Sequence, residues 1–179
     1  MKRIVITCFW IWPFFMFAQQ NAKKLSLYVQ GGYKSSAYFN KSGNHEFVSE
    51  TEISHHKCII LNAGLQWQVA EKWRIGPSFT YDHFGTKQRS VEFSNMSFLL
   101  RGDRIWKATK DYEVYSGLAM GIRKLRKFEE EIETTQTVNF SYQLYLAGIN
   151  LKLLSNFFID VNIGWGNTGI FSAGARILF

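Results

Sequence analysis

Residues 59–81 read IILNAGLQWQVAEKWRIGPSFTY, and the choice between folds rests on them. Ile59, Leu61, Ala63, Leu65, Trp67 and Val69 take every second position, with Ile60, Asn62, Gly64, Gln66 and Gln68 between them. This is the repeat of a β-strand with two unlike faces. Ala70-Glu71-Lys72 makes a tight turn, after which Trp73, Ile75, Pro77, Phe79 and Tyr81 alternate with Arg74, Gly76, Ser78 and Thr80. Alternation alone does not say which face meets water. A soluble lipocalin-like barrel buries its apolar face inside, whereas a membrane barrel turns it outward. The polar face decides. In water it would be dominated by Lys, Glu and Thr, yet Gly64 and Gly76 occupy it. Glycine weakens a strand and is tolerated where space is tight, as inside a small barrel. The polar face therefore points inward.

The same alternation runs along the rest of the chain. Leu25, Leu27 and Val29 mark a first strand, Met96, Phe98 and Leu100 a fourth, and Leu118, Met120 and Ile122 a fifth. In the sixth, Phe140, Tyr142 and Leu144 are even-numbered while Ile149, Leu151 and Leu153 are odd, which places a bulge near Ala147-Gly148. Phe157 to Trp165 and SAGARILF (172–179) complete the set. Gly32, Gly117, Gly121, Gly148, Gly164 and Gly174 join the polar face. The expected fold is all-β, an eight-stranded antiparallel up-and-down transmembrane β-barrel. Short turns on one side face longer connections on the other, and the charged run LRKFEEEIETTQT (125–137) reads as a long loop. Trp67, Trp73, Trp106, Tyr112, Phe157 and Phe179 form an aromatic band at the turn side. Tyr38, Tyr81, Phe84, Trp165 and Phe171 form a second band at the other, as in the girdles of a membrane barrel.

The chain has 179 residues, one domain's worth. Lys2 and Arg3, an apolar stretch from Ile4 to Phe17, and Ala18 before Gln19 have the order of a secretory signal. Residues 1–18 are expected to be removed, with 19–179 forming the barrel domain. Cys8 would leave with the signal, so Cys58 stands alone and no internal disulfide is expected. The net charge is +7, or +5 once Lys2 and Arg3 leave with the signal; on an exported chain it suits anionic lipid headgroups, and no nucleic-acid partner is expected.

On these residues the chain resembles the small eight-stranded outer-membrane β-barrels of the OmpX/OmpA-like, "porin family" type of Gram-negative envelopes. The most specific part of the resemblance is Ser172-x-Gly174-x-x-Ile177-x-Phe179, which matches that family's polar-x-Gly-x-x-hydrophobic-x-hydrophobic assembly signal. The resemblance implies a Gram-negative outer-membrane location and reading of those four residues by the barrel-assembly machinery.

Inside so narrow a barrel, charged residues should pair, because a lone buried charge is expensive. Strand-end turns bring Lys152, Asp160 and Arg176 near one another, and an interior cluster of the three is expected; Arg74, Asp82, Glu113 and Arg123 share the inward face. Such a cluster reads as a salt-bridged plug, with a gate or proton path as the sharper alternative. Asp82-His83 lies at the loop side, but adjacent strand residues face opposite ways, so no catalytic residues are assigned. His45, His55 and His56 lack the companions of a zinc site, and no metal or cofactor is expected. Lys124, Arg126 and Lys127, ahead of an acidic run, offer contact to lipopolysaccharide phosphates, or simply solvate a loop. The expectation is a non-catalytic, monomeric outer-membrane barrel with a structural or surface-interaction role, its partners being outer-membrane lipid and lipopolysaccharide. A narrow channel or transporter for small solutes is the alternative, with a lipid-modifying enzyme behind it.

Overall fold

The computed structural model describes residues 25–33, 53–86, 91–129 and 132–179; the expected signal segment 1–18, Tyr38 and His45 lie outside these residues. Eight strands follow in chain order: β1 (Leu25–Tyr33), β2 (Ile53–Ala70), β3 (Trp73–Thr86), β4 (Val91–Ala108), β5 (Tyr112–Glu129), β6 (Ile132–Lys152), β7 (Phe157–Gly166) and β8 (Phe171–Leu178). Each pairs antiparallel with its neighbour, and β8 pairs with β1 to close a barrel. The all-β, eight-stranded up-and-down architecture is as expected.

The two faces divide as the alternation requires. Phe98, Ile122 and Phe140 project outward and are 60%, 61% and 67% exposed, while Gln66, Arg101 and Asp103 on the other face are fully buried. This inverts a water-soluble barrel, in which apolar side chains fill the centre. The interior glycines have a steric cause. A Cβ built on Gly76 would collide with the carbonyl of Leu65, and one on Gly174 with the carbonyl of Val29. At both places a neighbouring strand's backbone occupies the space a side chain would need.

The wall is uneven in height. β2 to β6 run 14 to 21 residues, whereas β7, β8 and β1 run 8 to 10. The expected long charged loop at 125–137 is corrected here: β5 continues to Glu129 and β6 begins at Ile132, paired as Glu129↔Ile132. Lys124 stands opposite Val138, Arg126 opposite Gln136 and Lys127 opposite Thr135. The β-branched residues of that arm (Thr134, Thr135, Thr137, Val138) suit an extended strand, and charge alone does not end one. The bulge expected near Ala147-Gly148 falls at Leu146: Tyr145 pairs with Gly164 and Ala147 with Ile163, leaving Leu146 as the extra residue. Similar shifts leave Val69 on β2 and Trp106 on β4 unpaired. These three bulges lie toward the end of the barrel that carries Leu25, Phe179 and the turns after β2, β4 and β6, called the turn end, while register shifts at Ser54/Ile59 and Lys127/Phe128 lie toward the other.

Gly76→Ala should lower stability by about 1–3 kcal/mol through overpacking against the Leu65 carbonyl. A lower urea midpoint of the folded protein in detergent would register it. Gly102→Ala is the control: its added Cβ meets nothing nearer than the Arg74 carbonyl at 4.0 Å, and the midpoint should not move.

Candidate functional site

Side chains from all eight strands meet in the interior, and charge organises them. Arg176 on β8 donates from Nη2 to Asp160 Oδ2 on β7 at 2.8 Å and from Nη1 to Gln66 Oε1 on β2 at 2.7 Å. Gln66 passes the chain on, its Nε2 donating to Asp103 Oδ2 at 2.9 Å. The other Asp103 oxygen accepts from Arg101 Nε at 2.9 Å. Arg74 bridges Asp103 at 3.8 Å and Glu113 at 2.8 Å, and Asn150 donates to the same Glu113 oxygen at 3.1 Å. Three arginines thus face three carboxylates in one connected set.

Aromatic rings fill what the ions leave. Tyr115 on β5 donates its hydroxyl to Asp160 Oδ1, and its ring lies under Arg74, with 5.2 Å from guanidinium carbon to centroid. Arg101 lies 3.9 Å from the ring centroid of Tyr145 on β6 and 4.8 Å from that of Tyr28 on β1. Cation–π contacts of this kind strengthen when desolvated. Arg101, Arg176, Tyr28, Tyr115 and Tyr145 are the largest fully buried side chains. They fill the middle of the barrel, where an eight-stranded cylinder has room for side chains and little else.

Of the expected cluster, the structure brings Asp160 and Arg176 together and leaves Lys152 out. Lys152 pairs with Phe158 at the last step of the β6–β7 ladder and is exposed at the turn end. Asn150 is the residue opposite Asp160. A long cationic side chain at the mouth gains more from water than from a crowded centre. Arg74 and Glu113 pair directly, and Asp82 is fully buried on the inward face. The centre of the network, Arg101 and Asp103, was not singled out from the sequence. Its signal was present: both share the odd-numbered face opposite Met96, Phe98 and Leu100.

On the last strand, Ser172 Oγ donates to Asn162 Oδ1 of β7 at 2.7 Å. Gly174 faces Gln30 across the β1–β8 pairing, while Ile177 and Phe179 are exposed on the outside, 38% and 68%. At the opposite rim, Lys124 and Arg126 are on one face of β5 and Lys127 on the other, so the three do not form one patch. His83 stacks near Tyr81, its Nε2 is 3.6 Å from Glu92 Oε2, and it stands opposite Ser94. Its Nδ1 has no hydrogen-bond partner among the described residues. His55, His56 and Cys58 are placed on β2, and the described residues hold no group of three or more potential metal ligands.

No family model matches the sequence, and no curated protein matches it. Solved structures do match. The N-terminal β-barrel domain of Pseudomonas aeruginosa OprF superposes with a TM-score of 0.56 at 7% identity, over 87% of this chain and 97% of that one. Neisserial surface protein A (NspA) gives 0.53 at 12% identity, over 88% of this chain and 97% of that one. Both are small eight-stranded outer-membrane β-barrels, and this chain has their fold.

Removing one side of the buried pair should cost far more than removing Lys152. Asp160→Asn or Arg176→Gln is expected to destabilise by about 3–5 kcal/mol, because each strands a buried charge. Combined, the two changes should cost less than their sum. Lys152→Ala should stay within about 0.5 kcal/mol of the unaltered protein. Urea titration in detergent distinguishes the three.

Proposed function

We propose that this chain is an integral outer-membrane β-barrel of a Gram-negative envelope, closed to solutes and non-catalytic, with a structural and surface-interacting role. The observation that carries the reading is the inversion of its faces: the outside is apolar and exposed, and the inside is a neutralised ionic core. Exposed apolar surface on this scale would drive association in water, whereas in lipid it is the favourable solvent contact. A strand of ~10 residues tilted near 45° crosses the hydrocarbon, and the shortest strands here are of about that length. The shared fold with OprF and the surface protein NspA supports the same reading.

The orientation follows from the ends. The short turns and both described termini face the periplasm, and the taller β2–β6 wall stands on the outside of the cell. Lys124 and Arg126, on the outward face of that wall, meet lipopolysaccharide phosphates; Lys127 belongs to the opposite face and adds to the rim charge. Ser172, Gly174, Ile177 and Phe179 form the segment read by the barrel-assembly machinery, after a signal cleaved at Ala18. The protein acts as a monomer in this reading, and the closure of β8 on β1 supports it only in removing a strand edge through which copies could pair.

Gel mobility of the membrane fraction, boiled against unboiled, is the deciding measurement. The native protein should run faster unboiled, and removal of Phe179 should reduce assembly. A protein soluble without detergent and indifferent to boiling would overturn the membrane reading. In planar bilayers the folded protein should show no steady conductance; a reproducible single-channel step would replace the closed-barrel reading with the channel.

A further inference from the structure

Near the turn end, one stretch of the outer surface combines a glycine, a groove and two cations. Gly102, on β4, faces outward, and a Cβ placed there would meet only the Arg74 carbonyl at 4.0 Å. Neither crowding nor a positive φ requires glycine at this point. Its missing side chain forms the floor of a groove of about 360 Å³, walled by Trp73, Leu118, Leu144 and Leu146. Leu146 continues the even-numbered outward face of β6, and the bulge there turns Ala147 outward beside it. A volume near the lower end of small-molecule sites suits a single acyl chain better than a protein segment.

The groove has a charged head. Arg104, also lining it, is exposed on the outer face and lies 4.2 Å from the ring centroid of Trp106 and 5.8 Å from that of Trp73. Trp106 is itself anchored, its Nε1 donating to Ser116 Oγ at 2.8 Å. The β4 bulge at Trp106 brings Lys107 to the same outer face, where its Nζ lies 5.5 Å from the Tyr112 ring centroid. Among the described residues, Arg104 and Lys107 find rings and no carboxylate. Two outward cations beside two tryptophans, at the mouth of an apolar groove, form a site complementary to an anion with a hydrocarbon tail.

We propose that this groove binds one anionic phospholipid of the leaflet at the turn end, an inference that rests on the membrane-barrel reading above. An acyl chain lies over Gly102 between Leu118 and Leu146, and the phosphate accepts hydrogen bonds from Arg104. The Ser116 hydroxyl, which already accepts from Trp106, is free to donate its own hydrogen to a phosphate oxygen. Lys107 adds charge at the same depth. Lipopolysaccharide is not the occupant, because the groove lies at the turn end of β3–β6, the end opposite to the one where those strands rise above β7, β8 and β1.

The test uses the full mature chain, purified in detergent, and native mass spectrometry with phosphatidylglycerol, phosphatidylcholine or lipid A added to the micelles. Boiled-against-unboiled mobility is recorded first for every variant; a wild type with no shift would sink the membrane reading and this inference with it. With the shift present, the wild type should retain one phosphatidylglycerol about tenfold more strongly than phosphatidylcholine, whose phosphate can also reach Arg104 but whose choline cation is repelled by Arg104 and Lys107. Arg104→Gln should abolish that preference and Arg104→Lys should keep part of it. Gly102→Val, filling the floor while keeping a good strand former, should weaken retention of both phospholipids. Equal retention by wild type, R104Q and G102V would overturn the site. So would retention of lipid A in place of phosphatidylglycerol, or a wild type with no headgroup preference.

Discussion

Closing eight strands into one cylinder leaves an interior with space for side chains alone, and almost everything else in this protein answers to that constraint. If the outside is to meet lipid, the polar half of every strand must be packed into the cylinder, where an unpaired charge would cost several kcal/mol. The response is a balanced set: Arg74, Arg101 and Arg176 against Asp103, Glu113 and Asp160, with Gln66 joining the Arg176 and Asp103 halves. Tyrosine rings then occupy the remaining volume and offer their faces to the guanidinium groups. Glycine appears where even a methyl group would strike a neighbouring backbone, as at Gly76 and Gly174. Gly174 therefore serves barrel closure as well as any assembly signal, because the β1–β8 seam cannot tighten over a larger residue there.

Much of this was legible from the alternation of residues alone. Strand number, the inward sense of the polar face and the pairing of Asp160 with Arg176 need only the two-residue period and short turns. Depth along the barrel was not legible. Lys152 has the same inward parity as Asn150, yet one step along β6 moves it from the ion-paired interior to the mouth. Parity reports a face and says nothing of height. The run after Leu125 misled for a related reason: its charges suggest a solvated loop, but both arms pair as strand up to Glu129 and Ile132. Above the lipid a strand can be highly charged, since water is available to both of its faces.

The rim shows why residue types do not make a site without geometry. His83, Glu92 and Ser94 come together on adjacent strands, a grouping invisible in sequence because β3 and β4 must be registered before it exists. Even so, the imidazole meets its carboxylate at 3.6 Å on Nε2 and has no partner on Nδ1 among the described residues. A general base needs its substrate proton within hydrogen-bonding reach.

The outer surface is the least legible part, for a physical reason. Interior positions are over-determined, because each must fit volume, hydrogen bonding and charge at once, so residue type reveals place. Lipid-facing positions must satisfy only apolarity, and a departure from it carries more information than conformity. Arg104 and Gly102 are two such departures on one face of one strand, and neither is needed by the barrel's packing. What unites them is the bulges at Trp106 and Leu146, which lie on different strands and become neighbours only when β4, β5 and β6 are assembled. A bulge shifts two consecutive side chains onto one face, so these irregularities can create a depression and place a cation beside it. Gly31 is an outward glycine just as uncrowded, but at Gly102 the missing side chain coincides with a groove and an outward cation, and that coincidence sets the stretch apart.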